Sequence, residues 1–572
     1  MEKTVDADNT LDARAISSLP QQVVSDRFQS RLCGGVICRL PGNSSRKVYC
    51  ARIRRVVDEG SMNSRNVRLQ LLCLLSMCCV VSATSGQAQK TGERWKPEIP
   101  KTWVDDEMIA LELPLADPAA SPKHISADYY YRIPVRPIYK TYPIYAPAKE
   151  PAGYLARLSK LEPQMIFDPS KLITEMDWIA AGGLVFDAPI EFVSSGTLFS
   201  EVRDPLWYQK NGVRTTRDGI FPNMRYVVRE KGKVEVGILS CAMCHTRVMP
   251  DGSTIKGAQG NFPDDRTFGY ESRLEAAEAK DKDKALKALR DFMRRSYAAP
   301  WVADDPNARP ERMSVDEIAS VLEAITPGVC ARQGTSAFFP VHIPDLIGVK
   351  DRRYLDSSGL VRHRMVADLM RYAALNQGAD VLSLYGSFRP KGELPDPATE
   401  TRYSDEQLYA LALYVYSLKP PPNPNKFDTA AARGKEVFES EGCAGCHTPP
   451  LYTSNKLTPA IGFKIPVDHR QKYDILSMSV GTDPDLTMRA RRGTGYYKVP
   501  SLRGVWYRGP FGHGGWVATL EDWFDTRRLR DDYVPTGFQG YRMKTRAVKG
   551  HEFGVDLSDG DRKALIAFLK TL

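Results

Sequence analysis

One five-residue pattern, Cys-x-x-Cys-His, occurs twice in the chain, at residues 241–245 and 443–447. Two thiols separated by two residues and followed directly by an imidazole match the spacing needed for covalent haem attachment. The thiols add to the two haem vinyl groups, and the histidine lies under the iron. We therefore predict two covalently bound c-type haems. The expected thioether cysteines are Cys241, Cys244, Cys443 and Cys446, and the expected iron ligands are His245 and His447.

Two other functions of the pattern fit less well. A structural zinc site needs four ligands close together, whereas these motifs lie far apart in the chain. A thioredoxin-like redox pair needs neither the histidine nor a second copy. Six of the eleven cysteines precede residue 89, and Cys330 is the only later one outside the motifs. The sequence therefore predicts no disulfide framework, and we expect Cys330 to be a buried apolar residue.

Residues 62–88 have the pattern of a signal peptide. Arg65 and Arg68 precede an apolar run at 69–81, which is too short to span a bilayer, and small residues follow at 86–88. We predict a periplasmic or secreted protein without a stable membrane span; the alternative is an uncleaved anchor. Residues 1–61 are then a removed extension, or a non-native one if translation starts at Met62.

Composition limits the protein class. The chain has 572 residues, of which 42% are hydrophobic and 26% charged, as expected for a globular protein of two or three domains. The formal net charge is +10, but no run of basic residues accompanies it. Nucleic acid is therefore not an expected partner.

The proline-rich segment 419–426 predicts a stiff linker between two haem-bearing domains, at 90–418 and 427–572. A helix with an N-terminal cap and one apolar face is predicted at the end of each domain, at about 404–418 and 558–572. We expect residues 90–165 to form an extended surface segment and residues 274–296 one charged helix. The predicted fold is mainly α with extensive ordered loops, as two cytochrome c-like domains, the first enlarged by insertions and a few short strands.

The two halves share a weak repeat, since residues 343–349 resemble residues 499–505. The segments that precede the two Cys-x-x-Cys-His motifs differ. Residues 431–438 are typical of the opening helix of a c-type cytochrome, in which Gly434 allows close packing against the final helix. The first motif follows a predicted strand at 234–240 and is expected to lack that helix.

A second iron ligand has to come from elsewhere in the chain if either iron is six-coordinate. The sequence has six histidines outside the motifs: His124, His342, His363, His469, His513 and His551. The spacing of these residues does not select among them.

Residues 498–505, 509–515 and 519–523 together resemble the bacterial di-haem cytochrome c peroxidase superfamily. This superfamily includes hydrogen-peroxide reductases, the di-haem enzyme of methylamine utilisation and the rubber oxygenases. The resemblance covers most of 427–572 and, less well, 230–420. In the peroxidases the histidine matching His513 lies near a haem propionate, and a later methionine binds the electron-transfer iron. Residues 520–529 contain no methionine, so the chain departs from that ligand set.

Residues 549–558 are similar to the rubber oxygenase-like di-haem cytochromes c, which are the closest branch. This similarity implies that His551 is the second ligand of the C-terminal haem. His513 is the second choice for that ligand, and is otherwise a cofactor-binding residue near a propionate. Met488 and Met543 are weaker candidates.

The resemblance implies an exported oxidoreductase. The N-terminal haem would react with oxygen or peroxide, and the C-terminal haem would handle electrons. The partners would be a small-molecule oxidant with either an apolar substrate or a small electron-donor protein. A di-haem peroxidase and a non-catalytic electron carrier are the alternatives. Phe338, Phe339 and Tyr354 are candidate walls of the reactive pocket, and no catalytic residue is identified.

Overall fold

The computed structural model describes residues 95–572. The predicted extension 1–61 and signal peptide 62–88 lie outside the described residues. The α-helices are Asp105–Leu111, Ala127–Arg132, Tyr154–Leu158, Glu175–Asp187, Thr197–Glu201, Pro205–Asn211, Cys241–Cys244, Asp264–Glu278, Lys282–Tyr297, Val315–Glu323, Val366–Ala374, Asp405–Ser417, Thr429–Ser440, His469–Lys472, Asp485–Met488, Leu520–Trp523 and Asp559–Lys570.

The strands are mostly short and lie between long loops. They are Pro122–Lys123, Thr141–Tyr145, Glu191–Val193, Ile220–Glu230, Lys233–Ile238, Thr246–Val248, Thr254–Lys256, Val329–Cys330, Val341–His342, Tyr354–Leu355, Val361–Arg362, Leu384–Tyr385, Leu457–Pro459 and Tyr496–Lys498. Helix thus predominates over strand, as the sequence predicts.

Two packed helix pairs organise the described chain. The first helix pair is Glu175–Asp187 with Asp405–Ser417, and the second is Thr429–Ser440 with Asp559–Lys570. The predicted closing helices are confirmed, together with their caps: the Ser404 hydroxyl accepts from the Gln407 amide, and the Ser558 hydroxyl accepts from the Asp561 amide.

A glycine lies at the crossing point of each helix pair. A Cβ atom on Gly434 would lie 1.9 Å from the carbonyl oxygen of Ala564, and one on Gly182 would lie 1.9 Å from that of Ala410. Any larger residue would push the helices apart, because the backbones are already in contact. The first half therefore has its own opening helix, and the prediction that it lacks one is wrong.

An insertion explains why this helix is not evident from the sequence. Gly434 precedes Cys443 by nine residues, whereas Gly182 precedes Cys241 by 59. The inserted chain contributes three strands to a four-stranded antiparallel sheet, in the order Thr141–Tyr145, Ile220–Glu230, Lys233–Ile238, Glu191–Val193. The strand predicted at 234–240 is confirmed as the third of these, and it leads directly into the first motif.

Two further predictions from the sequence are wrong. Residues 274–296 belong to two helices. The first helix ends at Glu278, and the second begins at Lys282, where the Asp281 carboxylate accepts from the Lys284 amide at 2.9 Å. Residues 95–165 are not only a surface segment, since Trp103 and Tyr130 are fully buried and stack at 4.4 Å inside the largest apolar cluster.

Apolar clusters cross the predicted domain boundary. Val329 packs in one cluster with Trp516, and Phe339 packs in another with Tyr497. Residues 418–428 form neither helix nor strand. The division at 419–426 stays a prediction, and below "first half" means residues 95–418 and "second half" means residues 427–572. Among the described helices, none has the length and apolar character needed to span a bilayer.

We expect Gly434→Ala to lower the free energy of unfolding by at least about 2 kcal/mol, since the added methyl group overlaps the backbone of Ala564. Thermal unfolding followed by circular dichroism measures the change. Gly560→Ala is the matched control, because its Cβ would meet only the Ser558 hydroxyl, at 3.9 Å. Equal stability of the two variants would contradict the close helix contact.

The insertion also buries a carboxyl group. Glu201 is 6% exposed, and neither of its carboxyl oxygens has a hydrogen-bond partner. Burial, followed by the negative charge of Asp204, raises the pKa of Glu201 from its ordinary value of 4.5 to about 7. The folded protein therefore holds this proton more tightly than the unfolded chain does.

This raised pKa makes stability depend on pH. The contribution of Glu201 is fully present below pH 4.5 and is lost as the pH rises through about 7. We expect Glu201→Gln to flatten the dependence of Tm on pH between these values, with the exposed Glu191→Gln as control. If Glu201→Gln retains the pH profile of the parent protein, the buried carboxyl is not its source.

Candidate haem-binding sites

Each motif closes one helical turn. The His245 amide donates to the carbonyl oxygen of Cys241 at 2.9 Å, and the His447 amide donates to that of Cys443 at 2.8 Å. The first turn is the helix Cys241–Cys244, capped by the Ser240 hydroxyl, and the second is a 3-10 turn at Cys443–Gly445. In both cases the turn keeps the two cysteines and the histidine of the motif close together.

The motif thiols are not activated. Burial raises the pKa of Cys241 to about 12 and that of Cys443 to about 11, and the five described cysteines form no disulfide. Disulfide exchange and zinc binding both use thiolates, which need a lowered pKa. Within residues 95–572 no group of three or more metal-ligating side chains is present either. The environment favours uncharged sulfur, as in a thioether.

In the second half, the His447 imidazole has one nitrogen engaged and one available. Its Nδ1 lies 3.1 Å from the carbonyl oxygen of Pro500 and 3.2 Å from that of Tyr452. Donation of the Nδ1 proton to these carbonyls fixes the tautomer and leaves the Nε2 lone pair free for a metal.

A second imidazole faces His447. The ring centroids of His447 and His551 are 6.2 Å apart. Two imidazoles bound to one metal at roughly 2.0–2.1 Å would have centroids roughly 6.2–6.5 Å apart. Burial, and then the proximity of His447, lowers the pKa of His551 to about 4, so the ring is neutral. The spacing and the charge state both suit a shared iron.

His551 has an unusual backbone conformation. Its φ is +49°, in the left-handed region that residues other than glycine rarely adopt. The His551 amide donates to the Val480 carbonyl at 2.6 Å, and the ring lies between Trp523 and Phe553, with centroids 5.5 and 5.4 Å away. The surrounding contacts thus hold a conformation that the residue alone would not favour.

Arg528 supplies most of that support. It is 0% exposed, and among residues 95–572 its guanidinium donates to carbonyl oxygens and to no carboxylate. The acceptors, with their distances, are Trp523 at 2.7 Å, Val548 at 2.5 Å, Gly550 at 3.0 Å and His551 at 2.8 Å. Arg528 is therefore a positioning residue for the His551 loop. Sequence reasoning missed it, because nothing distinguishes it from Arg527 beside it.

In the first half, His245 has a different environment. Burial, and then the positive charge of Arg332, lowers the pKa of His245 to about 4, against an opposing effect of the Pro344 backbone. Its Nδ1 is buried without a hydrogen-bond partner. No aromatic or histidine ring of the described residues packs against this imidazole. Pro344 and Pro500 occupy the same place in the two copies of the repeat, and each lies against a motif histidine, which supports the repeat.

A buried charge network lies beside His245. Asp356 accepts from Arg332 at 2.7 Å and from Arg492 at 3.1 Å, and the Tyr372 hydroxyl lies 3.0 Å from Arg332. Burial alone would raise the pKa of Asp356, but the two guanidinium groups hold it well below its usual range. The carboxylate therefore remains an anion that joins the two halves.

His513 packs against the aromatic side chains of Tyr497 and Trp516. Its ring stacks on Tyr497 at 3.9 Å, and its carbonyl oxygen accepts from the His342 amide at 2.8 Å. Four residues before His513, the Gly509 amide donates to Gln259 and the Gly509 carbonyl oxygen accepts from Arg247, at 3.1 Å each. This segment thus docks onto the first half, and no ring contact or hydrogen bond within residues 95–572 joins His513 to His447.

The remaining predicted candidates have other neighbours. Three histidines are hydrogen-bonded elsewhere: His124 to Ser383, His363 to Tyr416 and His469 to Tyr496. Phe339 and Tyr354 lie in apolar clusters with residues of the second half; Phe338, Cys330 and Met488 pack at the edge of the Phe339 cluster, and Met543 is 46% exposed.

No protein-family model matches the chain, and no curated protein matches it. Two solved structures are weakly similar. Hydrazine synthase from Kuenenia stuttgartiensis shows 16% identity over 53% of this chain and 92% of its own, with a TM-score of 0.25. A MauG-like protein associated with microbial copper homeostasis shows 17% identity over 51% and 89%, with a TM-score of 0.26. At these TM-scores the matches carry no argument about function.

We expect Arg528→Met to destabilise the protein by at least about 3 kcal/mol, since it leaves several buried carbonyl oxygens without a donor. Thermal unfolding measures the effect. Arg527→Met is the matched control, because that side chain is exposed and pairs only with Asp525. A stability for Arg528→Met as high as that of the control would show that Arg528 does not support the loop.

Proposed function

We propose that this chain is an exported di-haem c-type cytochrome oxidoreductase. One haem would be attached through Cys241 and Cys244, and the other through Cys443 and Cys446. The observation that carries the proposal is the difference between the two motif histidines: His447 faces His551 at the separation of two ligands on one iron, whereas no ring among residues 95–572 faces His245.

The residues present fit this cofactor. Both motifs combine unactivated thiols with a neutral imidazole, and both histidines lie against the proline of the repeated segment. When bound, the two haems would supply one-electron transfer and, at an iron with an open position, a site for oxygen or peroxide.

The two sites would then differ in role. In the second half, His447 and His551 would both bind the haem iron and so exclude the oxidant, and Arg528 would hold His551 in place. This is the electron-handling site. In the first half, His245 would be the only protein ligand, and oxygen or peroxide would react there.

The charge network beside His245 favours an oxygen-dependent reaction over peroxide reduction. Peroxide cleavage uses a nearby base that accepts and returns a proton. Arg332 and Arg492 lower the pKa of Asp356, so this carboxylate is a weak base and poorly suited to accepting that proton. The proposed reaction is therefore oxygenation of an apolar, alkene-like substrate, as in the rubber oxygenases that the C-terminal sequence resembles.

The experiment that tests this proposal is spectroscopy of the haem-loaded protein with added ligands. We expect one low-spin haem with two imidazole ligands and one high-spin or oxygen-bound haem that binds carbon monoxide. Two six-coordinate haems inert to oxygen, peroxide and carbon monoxide would instead indicate an electron carrier. Turnover of peroxide with a reduced donor cytochrome, without oxidation of an alkene under oxygen, would indicate a peroxidase.

The ligand assignment makes a separate prediction. His551→Ala should convert the C-terminal haem from low-spin to high-spin, because it removes one axial imidazole, whereas His513→Ala should leave that haem low-spin. Electron paramagnetic resonance of the ferric proteins measures both. The opposite result, with only His513→Ala losing the low-spin signal, would reverse the assignment.

A further inference from the structure

A cavity lies where the two copies of the repeated segment meet. Pro344 and Asp345 of the first copy line it, together with Val499, Pro500 and Ser501 of the second. The Pro500 carbonyl oxygen accepts from His447, and the Pro344 backbone lies against His245. The same chain segments therefore contact the cavity and both motif histidines.

The cavity is lined by an excess of positive charge. Arg352, Lys498 and Arg508 contribute three cationic groups, and Asp345 contributes the one carboxylate of the lining. That carboxylate is already engaged, since it accepts from the Tyr507 hydroxyl at 2.9 Å and from the Ile347 amide at 3.0 Å. It cannot balance three cations.

Among the described residues, the cations have no close anionic partner, although the charge of Asp356 acts on Lys498 and that of Asp345 acts on Arg352. In the part of the chain that the structure describes, none of the three takes part in an ion pair. Arg352 donates to the carbonyl oxygens of Asp345 and Ile347, and Arg508 donates to that of Ser501 at 2.7 Å. The Nε atom of Arg508 is buried without a hydrogen-bond partner. The three side chains are half-buried, and cations withdrawn from water are normally paired, so this arrangement calls for an anion.

The excess of positive charge has a clear effect on the Lys498 amine. Burial, and then repulsion by Arg352, lowers its pKa to about 7. Carboxylate groups of a ligand in the cavity would restore the charge on this amine, because an opposite charge within a few ångströms favours the ionised form.

We propose that this cavity is a carboxylate site, and that the propionate groups of the bound haems occupy it, paired with Arg352, Lys498 and Arg508. The inference rests on the proposed function, because it needs haem in the motifs. The inference adds that one cavity between the two halves anchors both haems. The cations of this cavity would balance the negative charge of the propionates.

The site would tune the reduction potentials. A propionate without a counter-charge stabilises ferric over ferrous iron, whereas a cation beside it offsets that effect. Loss of the Lys498 charge should therefore lower the potential of at least one haem. We expect at least a tenfold fall in the ratio of ferrous to ferric iron at a fixed applied potential, which corresponds to about 59 mV for one electron.

Spectroelectrochemical titration of the full-length, haem-loaded protein tests this expectation. Lys498→Met removes the charge at the cavity, and Lys498→Arg should restore the parent potentials. Arg503→Met is the matched control, because it makes the same charge change on an exposed side chain of the same segment, outside the cavity. If Lys498→Met changes the potentials no more than the control does, the inference is wrong.

Two further measurements separate other outcomes. If inorganic phosphate or acetate shifts the potentials of the parent protein, but not those of Lys498→Met, the cavity takes a free anion, and the assignment to propionates is wrong. If an alkaline pyridine assay finds no covalent haem in the exported protein, the proposed function itself fails. A normal haem content with unchanged potentials overturns only the inference.

Discussion

Contact between helix backbones at two glycines organises the described chain. Gly434 and Gly182 each let an opening helix touch a closing helix at carbonyl distance, and each helix pair belongs to a half that carries one Cys-x-x-Cys-His turn. This shared frame puts the motif histidine of each half against the proline of a repeated segment. The two halves therefore share a helix pair and a motif turn. They differ mainly in the side chains around the motif histidine.

Local features of the site and the fold could be predicted from the sequence. The motif turns, the strand before Cys241 and the capped closing helices depend on neighbouring residues, so their patterns are visible in a single chain. His551 was identified only through resemblance to a family, since spacing alone does not select it. The structure adds the 6.2 Å separation from His447.

Features that depend on distant residues could not be predicted. Arg528 acts through carbonyl groups, which carry no sequence signal, and the Asp356 network joins side chains from both halves. The first opening helix was missed because 59 residues separate Gly182 from Cys241. The surface segment predicted at 90–165 is wrong in its described part for a related reason: its tyrosines and tryptophans suit a loop or a core equally well, and only tertiary packing decides.

The insertion before the first motif has a consequence for the order of folding. The entropy of closing a loop grows only slowly with its length, so the extra residues weaken the first helix pair little at equilibrium. The inserted residues instead slow folding, because structure that needs contacts between distant residues forms late. Both helix pairs need contacts between distant residues, but Gly434 is only nine residues from Cys443, whereas Gly182 is 59 residues from Cys241. We therefore expect the opening helix and the motif turn of the first half to come together later in folding than those of the second half.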